Sequence, residues 1–321
     1  MSNQIVMVSL EDLLPAEHIY RKFICLWRFE GLQKQLNEVE KDNNYKGYGS
    51  LRLFKCLLLQ FLEDLSDREL ERYLQENTAG KWFCEFELTE QTPDHSVFGR
   101  IRKRIGTTKL SEMFAQLRDQ LKSQGYMNEV FSFVDASSLI AKATLWQERD
   151  KAIKKKYEKL NNKVLPKVAY DKDARIGCKG KDKYWYGYKK HVSVDMQSGL
   201  INKVTITSGN VPDANGLKNV CPNQGSIYAD KAYCTKSAKR HAARRCCHLA
   251  AIKKNNMKGK NKDLDRWYSG IRAPYERVFS QQNKRTRYCG IVKNQFAAFM
   301  EAICFNLKRL VVLGPPGIIF V

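Results

Sequence analysis

The sequence lacks any uncharged apolar run of about 18 residues, so no transmembrane helix is expected and no membrane partner is implied. The apolar stretch Val311 to Val321 is broken by Gly314, Pro315, Pro316 and Gly317, and it is too short to span a bilayer. There is no CxxC pair among the ten cysteines, and no secretory leader is read at the start. Thiols scattered from Cys25 to Cys304 argue for a reducing compartment, so a cytoplasmic location is expected. The adjacent Cys246, Cys247 and His248 do not make a zinc site, because sequence neighbours rarely share one tetrahedral ion and no second pair lies at ligand spacing. Acids are also in deficit: 34 Asp and Glu stand against 56 Lys and Arg, a formal charge of +22. That excess favours a polyanionic partner, nucleic acid first, with a merely basic ribosomal or membrane-surface protein as the competing class.

Three of the acids that remain are placed unusually. In Ser226 to Cys234, SIYADKAYC, a short apolar run leads into Asp230 and is followed by basic and polar residues, as in a buried strand that ends in an exposed carboxylate. Val130 to Val134, VFSFV, has the same build and runs into Asp135. Glu276 lies just inside a segment that Pro274 can start as a helix, since proline is tolerated at the first helical position. If the two strands are neighbours and the helix packs on their sheet, the three carboxylates converge. With no lysine or arginine neutralising all of them, such acids attract divalent cations, and hard oxygen ligands suit Mg²⁺ or Mn²⁺.

At 321 residues the chain can hold two domains. Residues 1–125 read as helical. Leu51 to Leu62 is apolar nearly all round and should be a buried helix, and Ser66 to Glu69 forms a capping box. Thr92, Pro93 and Asp94 open another helix with an apolar stripe of Val97, Phe98 and Ile101. Its other face carries Arg100, Arg102, Lys103 and Arg104, which can lie along DNA phosphates or simply face water. Leu110 to Leu121 closes this part as an amphipathic helix.

From Val130 strands begin to alternate with helices. A basic insertion over about 141–186 mixes lysines, Lys181 among them, with Trp146, Tyr157, Tyr170, Tyr184 and Trp185, a composition suited to phosphate neutralisation and base stacking. Part of it is expected to order only on DNA. Gly187 to Met196 and Leu200 to Thr207 form a hairpin about a Gln197–Gly199 turn. Asp213 to Val220 reads as a helix capped by Asp213, Gly225 to Asp230 as a strand, Lys236 to Arg245 as a basic helix, and His248 to Ile252 as a last strand. His191 reads as a structural or phosphate-contacting residue. Three antiparallel strands followed by two helix-linked strands give a ribonuclease-H-like α/β domain, a mixed five-stranded sheet flanked by helices. In that topology Asp135 and Asp230 are neighbours. Two-metal phosphodiester chemistry would follow, with Asp135 bridging two ions and Asp230 and Glu276 each holding one.

From about Tyr45 to Leu310 the chain also resembles the DDE transposases of bacterial insertion sequences, in the group called insertion sequence five. The resemblance rests on GYGSLRLFKCLLLQFLEDLSDRELERYL, TPDHSVFGRIRKRI, FVDASS, GYKKHVSVD, NVPDANGL, YADKAYC, HLAAIKK and RAPYERVFSQQNKRTRYCG. It implies a helical DNA-binding domain over 1–125, a catalytic domain over 126–310 and an atypical tail over 311–321. By motif, Asp135, Asp230 and Glu276 match the three acids, and Arg272 matches the arginine of the tyrosine-arginine-glutamate-lysine signature. DNA contacts are implied for Arg272, Lys284, Arg285 and Arg287, and for Arg100, Lys103 and Arg104 of the N-terminal helix. There are departures. Tyr268 stands one place early, the signature lysine position holds Asn283 with Lys284 beside it, Ala232 replaces a glycine, and Cys289 replaces an arginine.

The implied activity is DNA-mediated transposition: binding of the ends of an insertion sequence, metal-dependent cleavage and strand transfer into target DNA. A homodimer or larger assembly is implied when two ends are synapsed, and association with the bacterial nucleoid when DNA is bound. Two other readings stand beside it, a ribonuclease-H-like nuclease without strand transfer and a catalytically impaired relic that still binds DNA.

Overall fold

The computed structural model describes residues 8–27, 29–41, 47–180 and 182–314. Tyr45, Lys181 and the tail from Pro315, named above, lie outside the described residues. The chain divides into two compact units. Met1–Leu117 and Asn306–Val321 group together, and Arg118–Phe305 forms the other. The residues from Asn306 to Leu310, expected in the second domain, thus group with the first unit.

The described residues of the first unit are helical: α1 (Leu10–Leu13), α2 (Ile19–Leu26), α3 (Glu30–Lys41), α4 (Ser50–Leu62), α5 (Asp67–Glu76), α6 (Thr78–Phe83) and the start of α7 (His95–Ser123). Helix α4 is buried nearly all round, from Leu53 to Leu62, as its unbroken apolar run requires. Its Phe54 ring meets Trp27, which in turn contacts Phe29, and Phe29 contacts Phe83. The capping box forms between Ser66 and Glu69. Thr92 is not the cap of α7: Asp94 takes that place, accepting from the Ser96 backbone N–H at 2.8 Å, because the helix begins at His95. Gly106, at φ 65° and ψ 173°, breaks α7 into the two helical segments that the sequence suggests.

The second unit is built on a sheet of six strands: β1 (Phe131–Ile140), β2 (Arg175–Lys179), β3 (Lys183–Asp195), β4 (Ile201–Ser208), β5 (Gly225–Ala229) and β6 (Cys247–Ala251). Strand β3 runs antiparallel to β1, β2 and β4, while β1, β5 and β6 are parallel. The order β4-β3-β1-β5-β6 is the ribonuclease-H-like arrangement, and β2 is the strand that sequence reading missed. The count is therefore six, not five. Gly187 sits where β1 and β3 approach most closely, at φ 149°, and any side chain there would run into the Leu139 carbonyl.

The basic insertion has structure of its own, with α8 (Leu145–Lys154) and α9 (Leu165–Val168) preceding β2. Helices α10 (Asp213–Val220) and α11 (Lys236–Ala243) cover one sheet face, closing a core of Val134, Leu217, Val220, Ile227, Tyr233 and Ala238. Asp213 does not cap α10 but accepts from the Lys189 ammonium at 2.7 Å. Helix α12 (Lys262–Arg272) runs directly into a 3-10 turn, Ala273–Phe279, and α13 (Ile291–Leu313) follows. Glu276 is thus in a short turn and not on a long helix: Pro274 opens one tight turn, and the long helix starts fifteen residues later, at Ile291. No helix of the described residues is long and apolar enough to cross a membrane.

Candidate active site

The two strand acids meet where β1 and β5 part. Their parallel register ends at the pair Val134 and Ala229, so Asp135 and Asp230 are the next residue on each strand. Divergence of parallel strands at their carboxyl ends opens a crevice, the ordinary place for a ligand in a sheet of this kind. The two acids leave the sheet differently. Strand β1 continues five residues past Asp135, still paired to β3, which places Asp135 in mid-strand and not at the strand end expected. Chain β5 stops, and Asp230 opens the 3-10 turn Lys231–Tyr233, accepting from the Lys231 backbone N–H at 2.6 Å. Asp135 accepts from the Ala136 N–H at 2.8 Å.

The third acid arrives with Arg272, the last residue of α12. The Arg272 side chain is 6% exposed and its guanidinium reaches all three carboxylates, at 3.4 Å from Glu276, 3.6 Å from Asp135 and 3.9 Å from Asp230. Phe133 lies behind it, with the ring centroid 5.6 Å from the guanidinium carbon. One arginine therefore faces all three acids, although its single charge does not neutralise three carboxylates. Burial pushes the Asp135 carboxyl up to about 6, and the negative charge of Asp230 works in the same direction; the Ala136 N–H and Arg272 oppose it. Tyr233, in the turn after Asp230, is fully buried with its hydroxyl unpartnered, and burial followed by the Asp135 charge holds that phenol well above its ordinary range. Sequence reading quoted Tyr233 within YADKAYC and gave it no role; its place under the acids depends on the turn that Asp230 caps.

The donor set fits a hard divalent cation: three carboxylates, two of them partly open at 39% and 56% exposure. Among the described residues, however, Glu71, Asp94 and His95 of the first unit are the group whose ligand atoms all lie within 4.8 Å of one another. Those three already serve the start of α7, where Glu71 accepts from the His95 backbone N–H at 3.2 Å and meets its Nδ1 at 2.8 Å. Asp135, Asp230 and Glu276 do not all lie that close to one another, and the guanidinium stands among them.

The other expected DNA contacts are distributed as follows. Lys284 and Arg285 are exposed and Arg287 is half-buried; their segment is held to the end of β1, where Ile140 donates to the Lys284 carbonyl and the Thr286 N–H donates to the Ile140 carbonyl, each at 2.8 Å. Arg100 and Lys103 are exposed on α7, and Arg104 is half-buried. Arg102, read as part of the same solvent face, instead turns inward to Asp67 and Gln60. In the insertion, Trp146, Tyr170 and Tyr184 are each about two-thirds exposed or more, and Arg149 and Lys151 lie over Trp146 and Tyr170. Trp185 is half-buried and spends its N–H on the Tyr188 carbonyl. His191 is fully buried, with Nε2 2.8 Å from the Thr207 hydroxyl, and burial lowers it to about 4, so it is a neutral structural residue. Lys190 is likewise buried, in an ion pair with Glu301.

Two family models match the chain. Residues 8–104 match the family described as Transposase domain (DUF772), and residues 133–307 match the Transposase DDE domain. A solved structure of the piggyBac transposase synaptic complex with hairpin DNA is similar at 9% identity and a TM-score of 0.43, covering 92% of this chain and 75% of that one. Transposase DDE domains depend on divalent cations and act on DNA. With more than half of its residues, and all three acids, inside the second match, the chain belongs to the Transposase DDE domain family and is a DNA transposase.

Proposed function

We propose that Asp135, Asp230 and Glu276 are the catalytic carboxylates of a transposase of the insertion sequence five group, which cleaves and joins the ends of its own element. The observation that supports this reading most directly is the meeting of the three acids around one guanidinium, at the point where β1 and β5 diverge. Asp135, Asp230 and Glu276 would hold Mg²⁺ or Mn²⁺, two ions in the usual scheme, which when bound activate water or a DNA 3′ hydroxyl and stabilise the leaving oxygen. The rest falls to the chain itself. The mid-strand position of Asp135, paired to Val192 of β3, fixes one carboxylate rigidly, while Asp230 and Glu276 on 3-10 turns can adjust to the substrate. No residue forms a covalent intermediate, so no nucleophilic side chain is required.

DNA would be gripped by the exposed cations Lys284 and Arg285 beside the β1 end and Arg100 and Lys103 on α7, with the half-buried Arg104 and Arg287 at the edges. Residues 1–125 are read as the DNA-binding domain and residues 126–310 as the catalytic domain. The open rings of Trp146, Tyr170 and Tyr184 suit unpaired bases near the cut. Synapsis of two ends calls for at least a dimer.

The test is incubation of the purified protein with a DNA fragment bearing the ends that flank its gene, in Mg²⁺ or Mn²⁺, beside Asp230→Asn. Nicked or joined products that need metal and vanish in the variant are expected. Nicking without joined products would leave a nuclease, and binding without cleavage in both proteins would leave a DNA-binding relic.

A further inference from the structure

Arg272 and Arg102 are both arginines set among acids, yet they are held in opposite ways. Arg102 makes a two-pronged pair with Asp67, one contact being 2.8 Å, and a third bond to Gln60 at 3.1 Å. That is a locked structural ion pair, in the range of charge-assisted hydrogen bonds. The Arg272 guanidinium, by contrast, spreads over three carboxylates at 3.4 to 3.9 Å, with one long hydrogen bond, to Glu276. Its Nε is buried without any partner. A buried donor left unpaired is costly, and it adds to the loose hold on this guanidinium. Three carboxylates against one guanidinium also leave the cluster short of positive charge.

We propose that Arg272 is an exchangeable internal counter-ion: it occupies the acid cluster in the DNA-free, metal-free protein, leaves it when a divalent cation enters, and is then free to pair with a DNA phosphate. Metal loading and end binding are coupled through this one side chain. Its position makes the exchange short. Arg272 is the last residue of α12, followed at once by the 3-10 turn that carries Glu276, so a rotation of its long side chain moves the charge without disturbing either strand acid. A guanidinium suits both states, since its fork matches carboxylate and phosphate alike. The acids benefit before metal arrives, because like charges gathered at a half-buried site repel one another. The inference rests on the assignment of Asp135, Asp230 and Glu276 as metal ligands.

The experiment is Mn²⁺ binding to the full-length protein without DNA, followed by the electron paramagnetic resonance of free Mn²⁺. Asp135→Asn and Asp230→Asn should each abolish the tight site; if neither does, the ligand assignment itself fails. Given that dependence, Arg272→Gln should bind Mn²⁺ about tenfold tighter or more, because a competing positive charge is gone. Arg272→Lys, which keeps the charge, should bind like wild type. Equal or weaker binding by Arg272→Gln would show that Arg272 holds the acids in place and would overturn the exchange. Unmutated protein supplies a second readout, modification by an arginine-directed dicarbonyl with the modified residue located by mass spectrometry. Arg272 should be protected without metal and become reactive when Mn²⁺ saturates the site. Protection unchanged by Mn²⁺ would overturn the proposal, whatever the Arg272→Gln variant does.

Discussion

The two units treat charge in opposite ways. In the helical unit charges near the core form close pairs: Lys55 reaches Glu85 at 2.7 Å, and Arg102 is bound by Asp67 and Gln60. In the sheet unit Lys189 and Lys190 are settled in the same fashion, on Asp213 and Glu301. The crevice between β1 and β5 is the exception. There three acids share one arginine, Asp135 is partly protonated near neutral pH, and the Tyr233 hydroxyl is unpartnered. Closed pairs hold a fold in one state, whereas an unsatisfied cluster is a place where something else can bind. A strongly perturbed group in a crevice marks a functional site for this reason.

The difference can be broken most severely from the crevice side. Asp230→Asn keeps the volume and removes one charge, and should reduce strand cleavage about a thousandfold or more, on the order of 4 kcal/mol of barrier. The same substitution should leave the thermal midpoint near that of wild type, because Asp230 is partly exposed and accepts from one backbone N–H. In the helical unit the balance reverses. Asp67→Ala strands a guanidinium whose side chain is 12% exposed, and should cost about 2 to 3 kcal/mol of stability. Denaturant unfolding of the two variants beside a cleavage assay checks both halves. An Asp67→Ala protein as stable as wild type would mean that the pair is ornamental and the contrast false.

Much of this was legible in sequence, for physical reasons that differ from element to element. The strand segments that run into Asp135 and Asp230 could be read because short apolar runs stop at a carboxylate, a pattern that needs no tertiary knowledge. Helix α4 is apolar enough that burial is its only outcome. Strand β2, RIGCK, could not be read: it has two cations and a glycine in five residues, and its pairing with β3 supplies the structure that its own propensity does not. Helix α12 was missed because KDLDRWYSGIR is mostly polar and contains Gly270. Glu276 stood out as an acid just after Pro274, whereas Arg272 was legible through the family resemblance alone. That the arginine faces all three acids was not legible, since a spacing of four residues relates it to Glu276 but says nothing of two strands far away in sequence.

Titration offers a smaller and finer test, because two buried groups on adjacent strands shift in opposite senses. His191 is lowered to about 4 from 6.5, so the unfolded chain binds its proton first on acidification, and folding stability falls between about pH 6.5 and 4. Asp135 is raised to about 6 from 3.8, so the folded chain binds its proton first, and its contribution to stability rises over nearly the same range as pH falls. Each is worth at most about 3 kcal/mol at 1.4 kcal/mol per unit. In wild type the two partly cancel. Asp135→Asn should therefore make the sheet unit more acid-labile, and His191→Gln should make it less so. Thermal midpoints at about pH 4.5 and about pH 7 would show slopes of opposite sign in the two variants. Parallel slopes would mean that one of these groups is not in the environment described.

The smallest expected effect separates free charge from spent charge on a single helix. Arg100 and Lys103 are exposed on α7, while Arg102, between them in sequence, is tied to Asp67. A phosphate neutralised by a side chain releases counter-ions, and each such contact adds about one to the slope of log affinity against log salt. The double substitution Arg100→Gln and Lys103→Gln should therefore weaken binding to any duplex and lower that slope by about two, with stability unchanged within about 0.5 kcal/mol. Arg102→Gln should leave the slope as it is in protein that remains folded, and reduce stability instead. If Arg102→Gln lowers the slope as much as the double variant does, its pair with Asp67 must open on DNA, and the helical unit would then share the exchangeable behaviour that is here assigned to the crevice.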